Sequence, residues 1–224
     1  MLDKGRVLPY NADNFIGQFV TILSVNKTRE YRWAHCARFL LGWVRAAPIF
    51  LISGDRMNKK VKFLVQAAVI AAMYVSLTYL QNFLLPGSTS AAIQLRVSEV
   101  LCVLAFFTPA AIPGLAIGCL LFNVSYAGAL PLDFLVGTLA SALAAVGMWL
   151  TRKVTIKSYP LPGLLMPALF NALLVGWELT VYIGGGFWLN ALYVAIGEAA
   201  VLLTLGTGLY YTIKGRRLER ILFS

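Results

Sequence analysis

Arg96, Glu99, Asn171, Glu178 and Glu198 are the residues of this chain whose types and spacing could do chemistry. All of them stand in strongly apolar surroundings. Arg96 and Glu99 lie three residues apart in AAIQLRVSEVL, residues 91–101. On a helix that spacing puts a cation and an anion on one face. Asn171 precedes Glu178 by seven residues, so these two also share a face. Glu198 has nothing nearby in sequence to neutralise it. Carboxylates accept hydrogen bonds, a guanidinium donates them, and an amide does both. An ionisable side chain costs about 2.5–3.5 kcal/mol in the middle of a membrane helix, so each is a candidate site residue. Plainer readings stand beside that one. Arg96 and Glu99 can pair with each other. Glu178 can be solvated near an interface. Glu198 must find a partner on another helix, keep its proton or meet a ligand. Acid–base catalysis is the rival chemistry, but the sequence offers it little. The single histidine is His35, and Cys36, Cys102 and Cys119 form no CxxC spacing. A His-based triad and a His-rich metal site are therefore excluded, and no catalytic or metal-ligating residues are expected.

These side chains need elements to hold them. Hydrophobic residues make up 59% of the chain and charged residues 12%, and the mean hydropathy is +0.77. A soluble domain has too much surface for so few charges, so the class is an integral membrane protein. The formal net charge is +10. Its basic residues cluster at the ends of apolar runs rather than along one face, which argues for membrane topology and against nucleic acid.

From residue 61 the sequence predicts six transmembrane helices, over about 61–83, 91–107, 109–127, 131–150, 161–182 and 188–212. Leu85-Pro86-Gly87-Ser88 and Gly184-Gly185-Gly186 mark loops. No period-2 alternation favours strands. With both termini inside, the cytoplasmic segments hold Lys59, Lys60, Lys62, Arg152, Lys153, Lys157, Lys214, Arg216, Arg217 and Arg220, and the outer loops hold no Lys or Arg. Only Arg96 is left over. That asymmetry sets an all-α six-helix bundle with cytoplasmic N- and C-termini. Arg96 and Glu99 then lie roughly 8–12 Å in from the outer surface. Glu178 is about one turn from the outer end of its span. Asp133, at the outer start of span four, reads as a helix N-cap. The intramembrane charges thus sit in the outer half, as for a pocket open to the outside.

Residues 1–56 differ, mixing charges with modest apolar runs. They are either an interfacial or cytoplasmic extension or a stretch ahead of the natural start. MNKKVKFLVQAAV from Met57 has the form of a bacterial inner-membrane start, and that is the preferred reading. The membrane domain is 57–224. In its first span Ala67 and Ala71, and Ala68 and Ala72, repeat at i,i+4 and would admit a close helix partner. Internal packing explains the same pattern.

QLRVSEVLCVLAFFTPAAIPGLAIGCLLFN, PLDFLVGTLAS, NALLVGWEL and AIGEAAVLLTLG resemble the queuosine-precursor transporters, substrate-binding (S) components of energy-coupling factor transporters. The resemblance covers about 57–216. It implies a multi-pass protein of the bacterial plasma membrane that captures a 7-deazaguanine base from outside. It also implies a transmembrane coupling subunit and two ATPase subunits as partners, with the alanine pairs as the docking face. The chain carries no nucleotide-binding P-loop, so ATP would be used only by those partners, and no cofactor is expected in this chain. Glu178 or Glu198 would accept the paired N–H groups of a guanine-like edge. Asn171 would bond the same ring, Arg96 its carbonyl, and Glu99 would orient Arg96. Trp177, Tyr182, Phe187 and Trp188 either stack on the base or form an interfacial belt. The remaining alternatives are a different, vitamin-like substrate for the same transporter class and a stand-alone membrane enzyme.

Overall fold

The structure is a computed structural model that describes residues 58–85, 95–126, 130–157 and 159–216. All lie in one unit spanning 47–224. The expectation about a late start at Met57 falls outside the described residues.

Helix α1 (Lys59–Leu84) begins at Asn58, whose side chain accepts from the Lys60 amide at 3.2 Å. A 3₁₀ helix follows over Val97–Phe106, then α2 (Ala111–Ser125), α3 (Asp133–Thr151), a short α4 (Leu161–Leu164) and α5 (Met166–Tyr182). Helix α6 (Phe187–Val201) passes through a π turn at Leu202–Gly206 into α7 (Thr207–Gly215). The only extended pairing among the described residues is an isolated bridge between Ile156 and Tyr159. Four helical stretches are long and apolar enough to cross a membrane: Lys59–Leu84, Asp133–Thr151, Leu161–Tyr182 and Phe187–Gly215. Val97–Phe106 and Ala111–Ser125 are apolar but shorter.

Side-chain bonds fix the direction of the first segments. Gln81, near the end of α1, holds the start of the 3₁₀ helix. Its amide donates to the Leu95 carbonyl, and its oxygen accepts from the Val97 N–H at 2.7 Å. At the other end Thr108 donates to Gln66, near the start of α1, at 3.1 Å. The 3₁₀ helix therefore runs antiparallel to α1. Thr108 also accepts from the Ala110 N–H and turns the chain into α2. The short connections that follow alternate the direction again. Lys59, Arg152 and Lys214 consequently share one end of the bundle, the basic end, while Arg96 and Gly184–Gly186 lie at the other.

The second segment departs from expectation. The sequence pattern gave a span over 91–107, whereas the helix covers only Val97–Phe106 and is 3₁₀ throughout. Ser98–Phe106 are all buried, because this helix packs against α1, α2, α3, α6 and α7 at once. A 3₁₀ helix rises about 2.0 Å per residue, so the ten residues reach further through the bundle than an α-helix would. Hydropathy cannot distinguish that centre from a lipid-facing span.

Close helix contacts come from small residues. A Cβ on Gly114 would meet the Ala67 carbonyl at 2.8 Å, and one on Gly118 would meet the Tyr74 Cβ at 2.7 Å and the Ala71 carbonyl at 3.0 Å. Ala67 and Ala71 are thus buried in the α1–α2 contact. Ala68 and Ala72 are exposed on the other side of α1. Ala140, Val175, Leu179 and Val194 join α3, α5 and α6 in one core cluster. Pro167, in the first turn of α5, explains the break at Leu165, since its ring and missing N–H prevent a continuous helix with α4.

Candidate substrate-binding site

Glu99 is fully buried in the central 3₁₀ helix and fully engaged. Its Oε1 accepts from Tyr74 Oη at 2.9 Å and Ser141 Oγ at 3.0 Å, and its Oε2 accepts from Cys102 Sγ at 3.0 Å. These donors come from α1, α3 and the 3₁₀ helix itself. A carboxylate placed where three segments meet gathers the donors that each supplies.

Arg96 does not pair with Glu99. Its Nη2 lies 3.4 Å from Asp133 Oδ1, with both side chains largely buried. Arg96 is the N-cap of the 3₁₀ helix, in an extended conformation, so its side chain does not share the helical face of Glu99. Asp133 is correspondingly not the N-cap of α3. Leu132 occupies that position and makes no side-chain cap bond, while Asp133 is the first helical residue. Asn123 from α2 braces the corner by donating to the Asp133 carbonyl at 2.7 Å. Gly137 leaves room for the group: a Cβ there would stand 2.8 Å from Asn123 Nδ2, 3.0 Å from Asp133 Oδ1 and 3.6 Å from Arg96 Nη1.

Asn171, Glu178 and Glu198 behave differently. They are 1%, 0% and 0% exposed. Every side-chain oxygen and nitrogen of the three lacks a hydrogen-bond partner. Ser98 Oγ and Thr138 Oγ1 share that condition. Buried polar groups are nearly always paired, because desolvation without a partner costs several kcal/mol for a charged group. Glu178 is buried rather than exposed at the surface of the bundle. Glu198 finds no partner on another helix.

Charge reach ties the set together. Glu178 lies within electrostatic range of Asp133 and Arg96, and Glu198 within range of Glu99 and Arg96. Arg96 is thus the cation common to both unpartnered acids. Arg96, Glu99, Glu178 and Glu198 are linked in this way, and Asn171 lies two helical turns from Glu178 on the same face of α5. Of the aromatics, Trp177, Tyr182 and Trp188 are exposed, and Tyr182 stands one helical turn beyond Glu178 on the same face of α5. Phe187 packs edge-on to Trp188 at 5.0 Å.

Sequence reasoning missed Tyr74, Ser141 and Cys102 as holders of Glu99, and Asp133 as the partner of Arg96. Tyr74 and Ser141 carried a weak signal as polar side chains in the middle of apolar runs. The Asp133 link depends on the turn into the 3₁₀ helix, which no local pattern announces.

A family model described as the QueT transporter matches residues 64–215. The match takes in all the site residues and the segments that carry them. No curated protein and no solved structure matches the chain. The matched stretch is well over half of the sequence, and the chain belongs to the QueT transporter family, multi-pass membrane proteins that move a small molecule.

Proposed function

We propose that the chain is the substrate-binding component of an energy-coupling factor importer and that it captures a 7-deazaguanine base, a queuosine precursor, from outside the cell. The bundle would sit in the bacterial plasma membrane as six spans with both termini in the cytoplasm. The positive-inside pattern and the alternating direction of the helical segments support this orientation. The end bearing Arg96 and Gly184–Gly186 then faces outward.

The observation that carries the reading is the trio of Asn171, Glu178 and Glu198, buried with no internal hydrogen-bond partner. A base with a ring N–H beside an exocyclic amine is a natural complement. A carboxylate accepts both donors side by side, and Asn171 can donate to the neighbouring carbonyl. Arg96 adds a donor at the same site. Glu99 already accepts three hydrogen bonds within the bundle, so its part in this reading is to hold the 3₁₀ helix and Arg96 in place.

Movement across the membrane would be conformational, driven by ATP hydrolysis in partner subunits. The exposed Ala68–Ala72 pair is the docking face in this reading. Ala67 and Ala71 are already used inside the bundle.

Titration calorimetry on the purified protein tests the assignment. Pre-queuosine bases should bind tightly without ATP, and guanine more weakly. Heat from riboflavin or thiamine, with a flat trace for the deazapurines, overturns it.

A further inference from the structure

We propose that the basic end of the bundle carries a site for an anionic phospholipid headgroup, formed where the segment between α3 and α4 lies against α7, with Lys157 and Lys214 as its cations. This site is separate from the buried acids, and the proposal holds whichever small molecule they take.

The first argument is charge balance. The acids among the described residues are Glu99, Asp133, Glu178 and Glu198, and the only ion pair among those residues joins Asp133 to Arg96 at the opposite end. Arg152, Lys153, Lys157, Lys214 and Arg216 are in no ion pair there. With a formal net charge of +10, the whole chain has too few acids to balance its cations. An anion from outside the chain answers them, and the headgroup layer beside this end supplies one.

The second argument is that the site is held in shape. Tyr159 Oη and Thr207 Oγ1 share a hydrogen bond of 2.5 Å, and the Tyr159 ring stacks on Tyr211 at 6.4 Å. Ile156 and Tyr159 exchange two backbone hydrogen bonds of 2.9 Å, which close the turn that presents Lys157. These contacts set Lys157 beside the flank of α7 that leads, one turn beyond Tyr211, to Lys214. Lys214 Nζ donates to Tyr210 Oη at 3.3 Å and stands 5.4 Å from that ring's centroid. Both cations are thus carried on a fixed aromatic base.

The third argument is Lys157 itself. Its φ is 49°, a left-handed conformation that glycine or asparagine adopts at less cost. Its side chain is exposed. A lysine kept in a strained, exposed turn points to a role for its charge outside the fold.

The fourth argument selects a lipid over a soluble anion or a protein. Val154 and Ile156 are exposed and alternate with Lys153 and Lys157. Leu150, at the end of α3, and Tyr211 are exposed as well. Apolar side chains interleaved with lysines, beside an open tyrosine at the end of a membrane helix, match the boundary between headgroups and acyl chains.

Native mass spectrometry of the full chain, with phosphatidylglycerol and phosphatidylcholine added in detergent, tests the site. Phosphatidylglycerol should be retained in preference. Lys157→Asn and Lys214→Gln should each weaken its retention about fivefold, the effect of one lysine beside an anionic headgroup. Asparagine suits the left-handed turn, so Lys157→Asn should melt no lower than the wild type, which certifies its fold. Lys59→Gln removes a cation of the same end from α1 and should leave retention unchanged. Glycerol 3-phosphate should not displace the lipid. Equal retention of the two lipids, unchanged retention in both lysine variants, an equal loss in Lys59→Gln or full displacement by glycerol 3-phosphate overturns the proposal. Loss of a copurifying protein in Lys157→Asn, with lipid retention intact, also overturns it and gives the surface to that protein.

Discussion

Tyr74 and Glu99, on α1 and the central 3₁₀ helix, meet in a buried hydrogen bond of 2.9 Å. With Ser141 and Cys102 completing the set, the carboxylate ties three segments of the bundle together. The polar centre of this membrane protein therefore has two kinds of acid. Glu99 accepts three hydrogen bonds from within the bundle. Glu178 and Glu198 are buried and unpartnered.

Tyr74→Phe separates these roles from one side. It removes one donor from a buried carboxylate and leaves the ring, which a Phe fills. The expected loss is about 1–3 kcal/mol of stability, read as a lower melting temperature in detergent. Ligand affinity should change little, because Tyr74 faces Glu99 rather than the unpartnered acids. A variant that melts like the wild type but no longer binds would make Tyr74 a ligand contact.

Glu198→Gln separates them from the other side. A carboxylate without partners is a cost that the fold bears for function, and the neutral amide of the same shape is cheaper to bury. The variant should melt at the same temperature as the wild type or higher, while ligand binding falls sharply. That trade-off marks residues kept for binding rather than stability. A drop in melting temperature as large as that of Tyr74→Phe would show that Glu198 has a structural partner.

The sequence made the apolar helices, the loop at Gly184–Gly186 and the shared face of Asn171 and Glu178 legible, because hydropathy and helical period act locally. Three things were not legible. The Arg96–Glu99 spacing implied a pair only if the backbone were helical at Arg96, and it is extended there. Asp133 looked like a cap because its long-range partner is 37 residues away. The alanine stripe of α1 could not be divided between an inner and an outer face until the glycines of α2 were placed against Ala67 and Ala71.

Gly137→Ala tests the corner where Arg96 is held. The new methyl would press on Asn123 Nδ2 at 2.8 Å and Asp133 Oδ1 at 3.0 Å. Asn123 cannot yield cheaply, since it is bonded to the Asp133 carbonyl. The carboxylate of Asp133 should be pushed off Arg96, at a cost of about 1–3 kcal/mol from overpacking. Affinity should fall because the guanidinium loses its setting. Thermal melts and calorimetry on one preparation give both numbers, and unaltered affinity would detach this corner from the site.

The two alanine pairs of α1 make opposite predictions. Ala71→Leu places a large side chain against α2, where the backbones of α1 and α2 already approach closely at Gly114 and Gly118. It should lower stability by about 1–3 kcal/mol and impair binding of ligand and partner together. Ala72→Leu projects from the exposed side of α1, where nothing within this chain stands in its way. It should leave the melting temperature and ligand affinity as they are, and abolish copurification with a coupling subunit and its ATPase pair if that face is where a second helix docks closely. Stable Ala72→Leu protein that still copurifies would move the partner surface elsewhere. Loss of the partner in Ala71→Leu alone carries no information about docking, because the bundle itself is disturbed. The exposed pair is therefore the decisive one.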